Sequence, residues 1–204
     1  MKINSQIKQI GKQAGYTLIE LSIAIAIISV LIMSALFGVQ KILDNNNADT
    51  TAQQVTAATA NITKYATMMS DKLFLASVAA VAPMGVWPEN VVLNTGTVAA
   101  PVWKLRNPFG GDYIVGSTTT GYFIGITNLS TNACLSLGAS LNNAAMQIDT
   151  DEVATYTAAT TAMPTTGLLN VKPLGGKATS ATLSTGCAAT AAGKKKNVFV
   201  QYAL

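Results

Sequence analysis

Glu20 is the residue that asks most of its surroundings. It stands alone at the mouth of Leu21–Val39, nineteen residues without a charge. A carboxylate at the edge of such a run costs a few kcal/mol unless it finds a cation or reaches a polar interface. Gly15 and Tyr16 lie just upstream. A cut between them would make Tyr16 the N-terminus, with a cationic α-amine four residues from Glu20. Two roles are open to the carboxylate. It can snorkel at a membrane surface, or it can pair with the Tyr16 amine of a neighbouring copy and set the axial register of a helix array. Other reactive groups are sparse. Asp149, Asp151 and Glu152 form an acidic cluster that lacks the glycine and ligand spacing of a calcium-binding loop, so it reads as a solvated loop. There is no histidine, which removes histidine-based triads, common zinc sites and the usual proton shuttle. No glycine-rich phosphate loop precedes a helix. The expectation is therefore no catalytic residue, no cofactor and no metal.

The element that must position Glu20 is a helix. Leu21–Val39 would be about 28 Å long at 1.5 Å per residue, close to the thickness of a bilayer's hydrocarbon core. Ile23, Ile25, Ile27, Ile28, Val30, Leu31, Ile32 and Met33 leave no polar stripe, so the helix needs an apolar environment on every side. Ser22, Ser29 and Ser34 interrupt it with hydroxyls that can bond back to the helix's own carbonyls. Farther on, Ala48, Ala52, Val55, Ala58 or Thr59, Ile62, Tyr65 or Ala66 and Met69 recur at helical spacing, with Gln53, Gln54, Asn61, Lys64 and Thr67 opposite. An apolar half thus leads into an amphipathic half that ends near Ser70 and packs on a downstream domain.

Lys2, Lys8 and Lys12 precede the span, which predicts that they stay cytoplasmic while the bulk of the chain is exported. Without them, ten basic side chains face nine acidic ones, a balance of +1. That is no footprint for nucleic acid. Half of the 204 residues are hydrophobic and only 11% are charged, a composition suited to packing against copies of the same chain. Cys134 and Cys187 are the two cysteines. In an exported chain a disulfide between them is the default, and two unlinked buried thiols are the alternative suited to a reducing compartment.

The lysine-bearing leader, Gly15, aromatic Tyr16, Thr17-Leu18-Ile19-Glu20 and the long apolar helix resemble the N-terminus of bacterial type IV pilin precursors. The resemblance implies cleavage between Gly15 and Tyr16 by the membrane-embedded prepilin peptidase, which also N-methylates Tyr16. An ordinary secretory signal would instead be cut beyond its apolar region, and Ser34-Ala35-Leu36 is a poor site for that. Many pilins with short leaders carry a glycine and a proline inside the apolar half, where the helix can unwind. The matching places here hold Ser29 and Phe37, next to Gly38.

The rest of the chain reads less evenly. From Leu73 to Arg106 the pattern is an irregular connection punctuated by Pro83, Gly85, Pro88, Gly96 and Pro101. Trp87 and Trp103 within it read as pins onto the core, with sugar or base stacking as the functional alternative. Asn107-Pro108-Phe109-Gly110-Gly111 is a turn into two strands, Asp112–Val115 and Gly121–Ile126. That turn, and Asn132–Leu137 as a short helix carrying Cys134, are similar to the bundle-forming, type IVb pilins of enteric bacteria. By the same resemblance Cys134 and Cys187 bound an exposed D-region. Short β-like runs at Ala144–Ile148, Val153–Thr157 and Gly167–Lys172 follow, then a terminal strand over Val198–Tyr202. Lys194-Lys195-Lys196 reads as a solvated turn, with surface adhesion as the alternative. Asn61-Ile62-Thr63 and Asn128-Leu129-Ser130 match the N-glycosylation triplet, a match frequent by chance.

The expected architecture is α+β, the pilin fold: leader 1–15, a long N-terminal helix 16–70 with its membrane or fibre core over 18–39, and a head 71–204 on an antiparallel sheet with the disulfide-bounded region 134–187. The resemblance implies the major structural subunit of a type IVb pilus, a filament for adhesion, aggregation or DNA-transfer contacts. Its partners would be other copies of itself in a helical homopolymer, the prepilin peptidase, the inner-membrane assembly machinery and membrane lipid before assembly, with no nucleic acid bound directly. It would sit in the inner membrane as a single-pass protein with a periplasmic head, then in the extracellular pilus. A minor pilin or secretion pseudopilin is the alternative, and a single-span anchored binding domain that never polymerises is a third.

Overall fold

The computed structural model describes residues 17–69, 75–152, 156, 162–164, 167–190 and 193–204. Gly15, Tyr16 and the leader lysines lie outside the described residues, as does the run expected at 153–157 apart from Tyr156. The chain divides after Gln40 into two compact units. One helix, α1 (Leu18–Met68), contributes to both.

In the first unit α1 carries its apolar run with no proline to interrupt it. Ser22, Ser29 and Ser34 donate back to the carbonyls of Ile19, Ile25 and Val30 at 2.8, 2.7 and 2.9 Å. Each hydroxyl is satisfied inside the helix, so the run presents no free polar group that would resist an apolar medium.

In the second unit α1 buries Ala48, Thr51, Val55, Ala58 and Ile62, a 3–4 spacing that aligns one stripe. Most of these residues are small, which lets the helix approach the sheet closely. Seven strands, all paired antiparallel, are ordered β1-β2-β3-β4-β7-β5-β6 among the described residues. They are β1 (Val92–Asn94), β2 (Trp103–Arg106), β3 (Asp112–Ser117), β4 (Gly121–Leu129), β5 (Gln147–Asp151), β6 (Leu169–Lys172) and β7 (Lys196–Ala203). The short helices are α2 (Val78–Val81), α3 (Thr131–Leu141) and α4 (Ser180–Cys187). The terminal strand β7 lies in the middle of the sheet, between the β1–β4 meander and the β5–β6 hairpin. A long helix packed on an antiparallel sheet is the α+β plan expected from the sequence.

The meander is apolar on both faces. Tyr113, Val115, Tyr122, Ile124 and Ile126 join the main core with Val55 and Ile62. On the opposite face Ile114, Phe123 and Phe199 form a second cluster, against which Tyr156, Met163 and Leu168 pack. Gly125 is required there, because a Cβ on it would lie 2.8 Å from the Phe199 ring. Double coverage explains why β3 and β4 lack the alternation of a half-exposed sheet.

The segment expected as an irregular connection, Leu73 to Arg106, is more regular than it reads. It contains α2, a 3₁₀ turn (Ala82–Met84), β1 and β2. Strands of three and four residues are too short to show alternation. Pairing along the sheet edge, as in Leu93 opposite Lys104, makes them strands. Trp87 is buried with its ring centroid 4.6 Å from that of Tyr113, and Trp103 is half-buried on β2.

Two charged stretches overturn their reading as solvated. Asp149 and Asp151 are buried on β5. Asp149 accepts from the side-chain amides of Gln147 and Asn170, both at 2.8 Å, and of Gln201 at 3.3 Å. Burial pushes its carboxyl up from the ordinary value, although those three amides act against the shift. Of the three consecutive lysines, Lys194 and Lys195 are exposed, but Lys196 is buried at the start of β7 and pairs with Glu152 at 2.9 Å. The Thr190 hydroxyl, Lys196 and the Thr190 N–H together pull the Glu152 carboxyl down to about 2. Tertiary partners, not local polarity, decide these sites. The helix α4 is a further addition to the expected plan. Its start is a capping box in which Thr179 and Thr182 exchange side-chain and backbone bonds.

Candidate assembly site

Glu20 occupies the third helical position of α1, behind Thr17 at the N-cap. The Thr17 N–H and hydroxyl both donate to Glu20 Oε2 at 3.0 Å, and the Glu20 N–H donates to Thr17 Oγ1 at 3.3 Å. This reciprocal pair is a capping box, and it satisfies two of the backbone donors that a helix N-terminus leaves open. Charge reasoning alone misses this partner, yet Thr-x-x-Glu ahead of an apolar run is a legible signal for it. Glu20 Oε1 makes no hydrogen bond to the described residues, so the carboxylate is tethered but not used up. Tyr16, the other half of the expected pair, lies outside the described residues.

Behind this cap the whole apolar surface is open. Leu18 is 87% exposed, and Ile23, Ile25, Ile27, Val30, Leu31 and Met33 are all more than half exposed. An 18-residue stretch of α1 reaches a mean hydropathy of 2.5 with none of it buried. By length and composition it could cross a membrane. A contiguous apolar surface of this extent marks a contact with lipid or with other protein.

The second unit is braced by a disulfide. Cys134 on α3 and Cys187 at the end of α4 are joined, with Cα atoms 5.6 Å apart and a sequence separation of 53. Asp44 and Asn45 of α1 accept from Ser130 and Ser136 of α3 and its cap, at 2.5 and 3.2 Å. The Asn107–Gly111 turn is organised by Asn107 more than by its proline. Its Oδ1 accepts from the N–H groups of Phe109 and Gly111, both at 3.0 Å, and its Nδ2 donates to the Thr127 carbonyl at 2.9 Å. Gly110 takes a φ of +76°, which suits a residue without a Cβ. Both glycosylation-type asparagines are engaged internally: Asn61 donates to Val86 O and Asn128 to Phe109 O. No group of three or more potential metal-ligating side chains occurs among the described residues.

Residues 10–36 match the prokaryotic N-terminal methylation motif. Over 141 residues the chain is 29% identical to the major structural subunit of bundle-forming pilus from Escherichia coli O127:H6 (strain E2348/69 / EPEC), and equally to that from Escherichia coli O111:H-. The match takes in 64% of this chain and spans 65% of the length of those curated relatives. They are named as structural subunits, not as enzymes. The fold is similar to the crystal structure of the type IV b pilin from Salmonella typhi, with a TM-score of 0.55 at 14% identity, over 76% of this chain and 99% of that one. The chain is thus similar to type IV pilins, and among them to the type IVb group, at its N-terminal motif and in its fold.

Proposed function

We propose that this chain is a type IV pilin, the major subunit of a bundle-forming type of pilus, made as a precursor and polymerised through α1. One observation carries the reading: Leu18–Val39 exposes an unbroken apolar surface with a single carboxylate at its N-terminal end. Such a surface needs lipid or other copies of itself. In this reading the prepilin peptidase cuts between Gly15 and Tyr16 and methylates the new amine. The helix then waits in the inner membrane with the head periplasmic. The assembly machinery transfers it from lipid into a helical bundle, and the head faces out of an extracellular filament that serves adhesion, aggregation or DNA-transfer contacts. A head-to-tail contact that does not close generates a fibre. Glu20 paired with the Tyr16 amine of a neighbour selects the register.

The capping box sharpens the test. Glu20→Ala removes both the charge and the cap, whereas Glu20→Gln keeps the cap, because glutamine serves equally at that position. Both variants should be exported and cleaved, and neither should form filaments visible by electron microscopy. Normal filaments from Glu20→Gln would end the register role. Intact mass of protein sheared from cells tests the processing: the chain should begin at N-methylated Tyr16 and dominate that material. A scarce chain would mark a minor pilin, and one beginning at Met1 would overturn the pathway.

A further inference from the structure

The fold brings both tryptophans of the chain to one cleft in the head. The cleft holds about 370 Å³ and is lined by Trp87, Glu89 and Trp103 together with the apolar Ala82, Pro83 and Val92. That volume lies in the lower range of small-molecule sites, about 300–1,000 Å³.

Three observations give this cleft a ligand chemistry. Trp103 is half-buried and offers an aromatic surface to it. Glu89 is exposed at the rim and supplies an acceptor, while no lysine or arginine among the described residues lines the cleft. Trp87 is only 3% exposed, and its Nε1–H has no hydrogen-bond partner, although a buried indole N–H ordinarily finds one. That N–H is shut off from solvent, so a ligand would reach it only with a lining side chain turned aside, an adjustment common at binding surfaces. The backbone behind these side chains is held from α1: Asn61 donates to Val86 O and the Tyr65 hydroxyl to Met84 O, both at 2.9 Å. The site is thus built on a rigid element.

We infer that this cleft binds a neutral pyranose sugar. The apolar face of the ring would lie on Trp103, and one hydroxyl would donate to the Glu89 carboxylate. A second hydroxyl would accept from Trp87 Nε1–H, since a hydroxyl can do both. The absence of a lining cation among the described residues disfavours a nucleotide, whose phosphates call for one. The site is independent of the assembly role of α1.

Because the chain has two tryptophans and both line the cleft, tryptophan fluorescence reports on this site alone. The full-length chain in detergent would be titrated with the methyl pyranosides of glucose, galactose, mannose and N-acetylglucosamine, and separately with adenosine monophosphate. A saturable change in emission is expected with at least one pyranoside, weakened about tenfold in Glu89→Gln and in Trp103→Ala. Glu89→Gln decides the matter if Trp103→Ala does not fold. No saturable change up to about 50 mM, undiminished binding by folded Glu89→Gln, or saturation by adenosine monophosphate alone would each overturn the inference.

Discussion

The strand β7 has two unlike neighbours. Toward β4 the paired residues are Tyr122 with Tyr202, Ile124 with Val200 and Ile126 with Val198, and the two tyrosine rings stack at 5.3 Å. Toward β5 they are Gln147 with Gln201, Asp149 with Phe199 and Asp151 with Asn197. The first side is held by apolar burial on both faces. The second adds Ile148, Val171, Leu183 and Cys187 to the main core, and carries several polar ties besides. Asn197 donates to Asp151 at 2.7 Å, Thr150 to Gly186 O at 2.8 Å, and the buried Lys172 ammonium to the carbonyls of Asn142 and Ala145 beyond α3. A Thr- and Ala-rich region has little apolar surface to bury, so directional bonds and a covalent link stand in for a core.

The largest effect should come from the covalent link. Replacing both cysteines by alanine, Cys134→Ala with Cys187→Ala, removes a cross-link worth about 4 kcal/mol in the chain-entropy account. Denaturant unfolding of the full-length chain in detergent would read the loss. Hydrogen exchange would locate it: amides of β5, β6 and α4 should lose protection before those of β3 and β4. Parallel loss on both sides of β7 would show one cooperative unit and dissolve the comparison.

The same division governs what can be read from the chain. Apolar spacing locates α1, and apolar runs locate β3, β4 and β7, because burial there follows from the residues themselves. The acidic cluster and the lysine run look solvated, because the burial of Asp149, Asp151 and Lys196 depends on partners distant in sequence, such as Asn170, Asn197 and Glu152. At the candidate assembly site Glu20 stands out by its isolation, and Thr17 is recoverable from capping-box spacing. The meeting of Trp87 and Trp103 is not legible, since the pairing of short edge strands brings it about.

A smaller effect belongs to Glu152. Its carboxyl is held at about 2, below the ordinary 4.5. A lowered carboxylate contributes stability that is fully present above the unfolded value and is lost as pH falls toward the folded one. Wild type should therefore exceed Glu152→Gln in melting temperature at pH 7, and the gap should close between about pH 5 and pH 2. A gap that stays constant over that range would mean that the charge on Glu152 does not tie β7 to this side.

Asp149 should give the smallest effect and the opposite sign. Burial raises its carboxyl above 3.8, so the folded state binds its proton more readily than the unfolded chain does. The ionised form then carries a cost that appears as pH rises through the unfolded value toward the folded one. The substitution Asp149→Asn removes that cost and keeps the shape, and the amides of Gln147, Asn170 and Gln201 can reorient to meet it. The variant should match or exceed wild type at pH 7 by about 2 °C or less, with the difference growing as pH rises from about 3 and then levelling. A large loss at pH 7 would instead make the ionised Asp149 a net tie between β5, β6 and β7, and the polar side would then rest on charge as firmly as the other rests on burial.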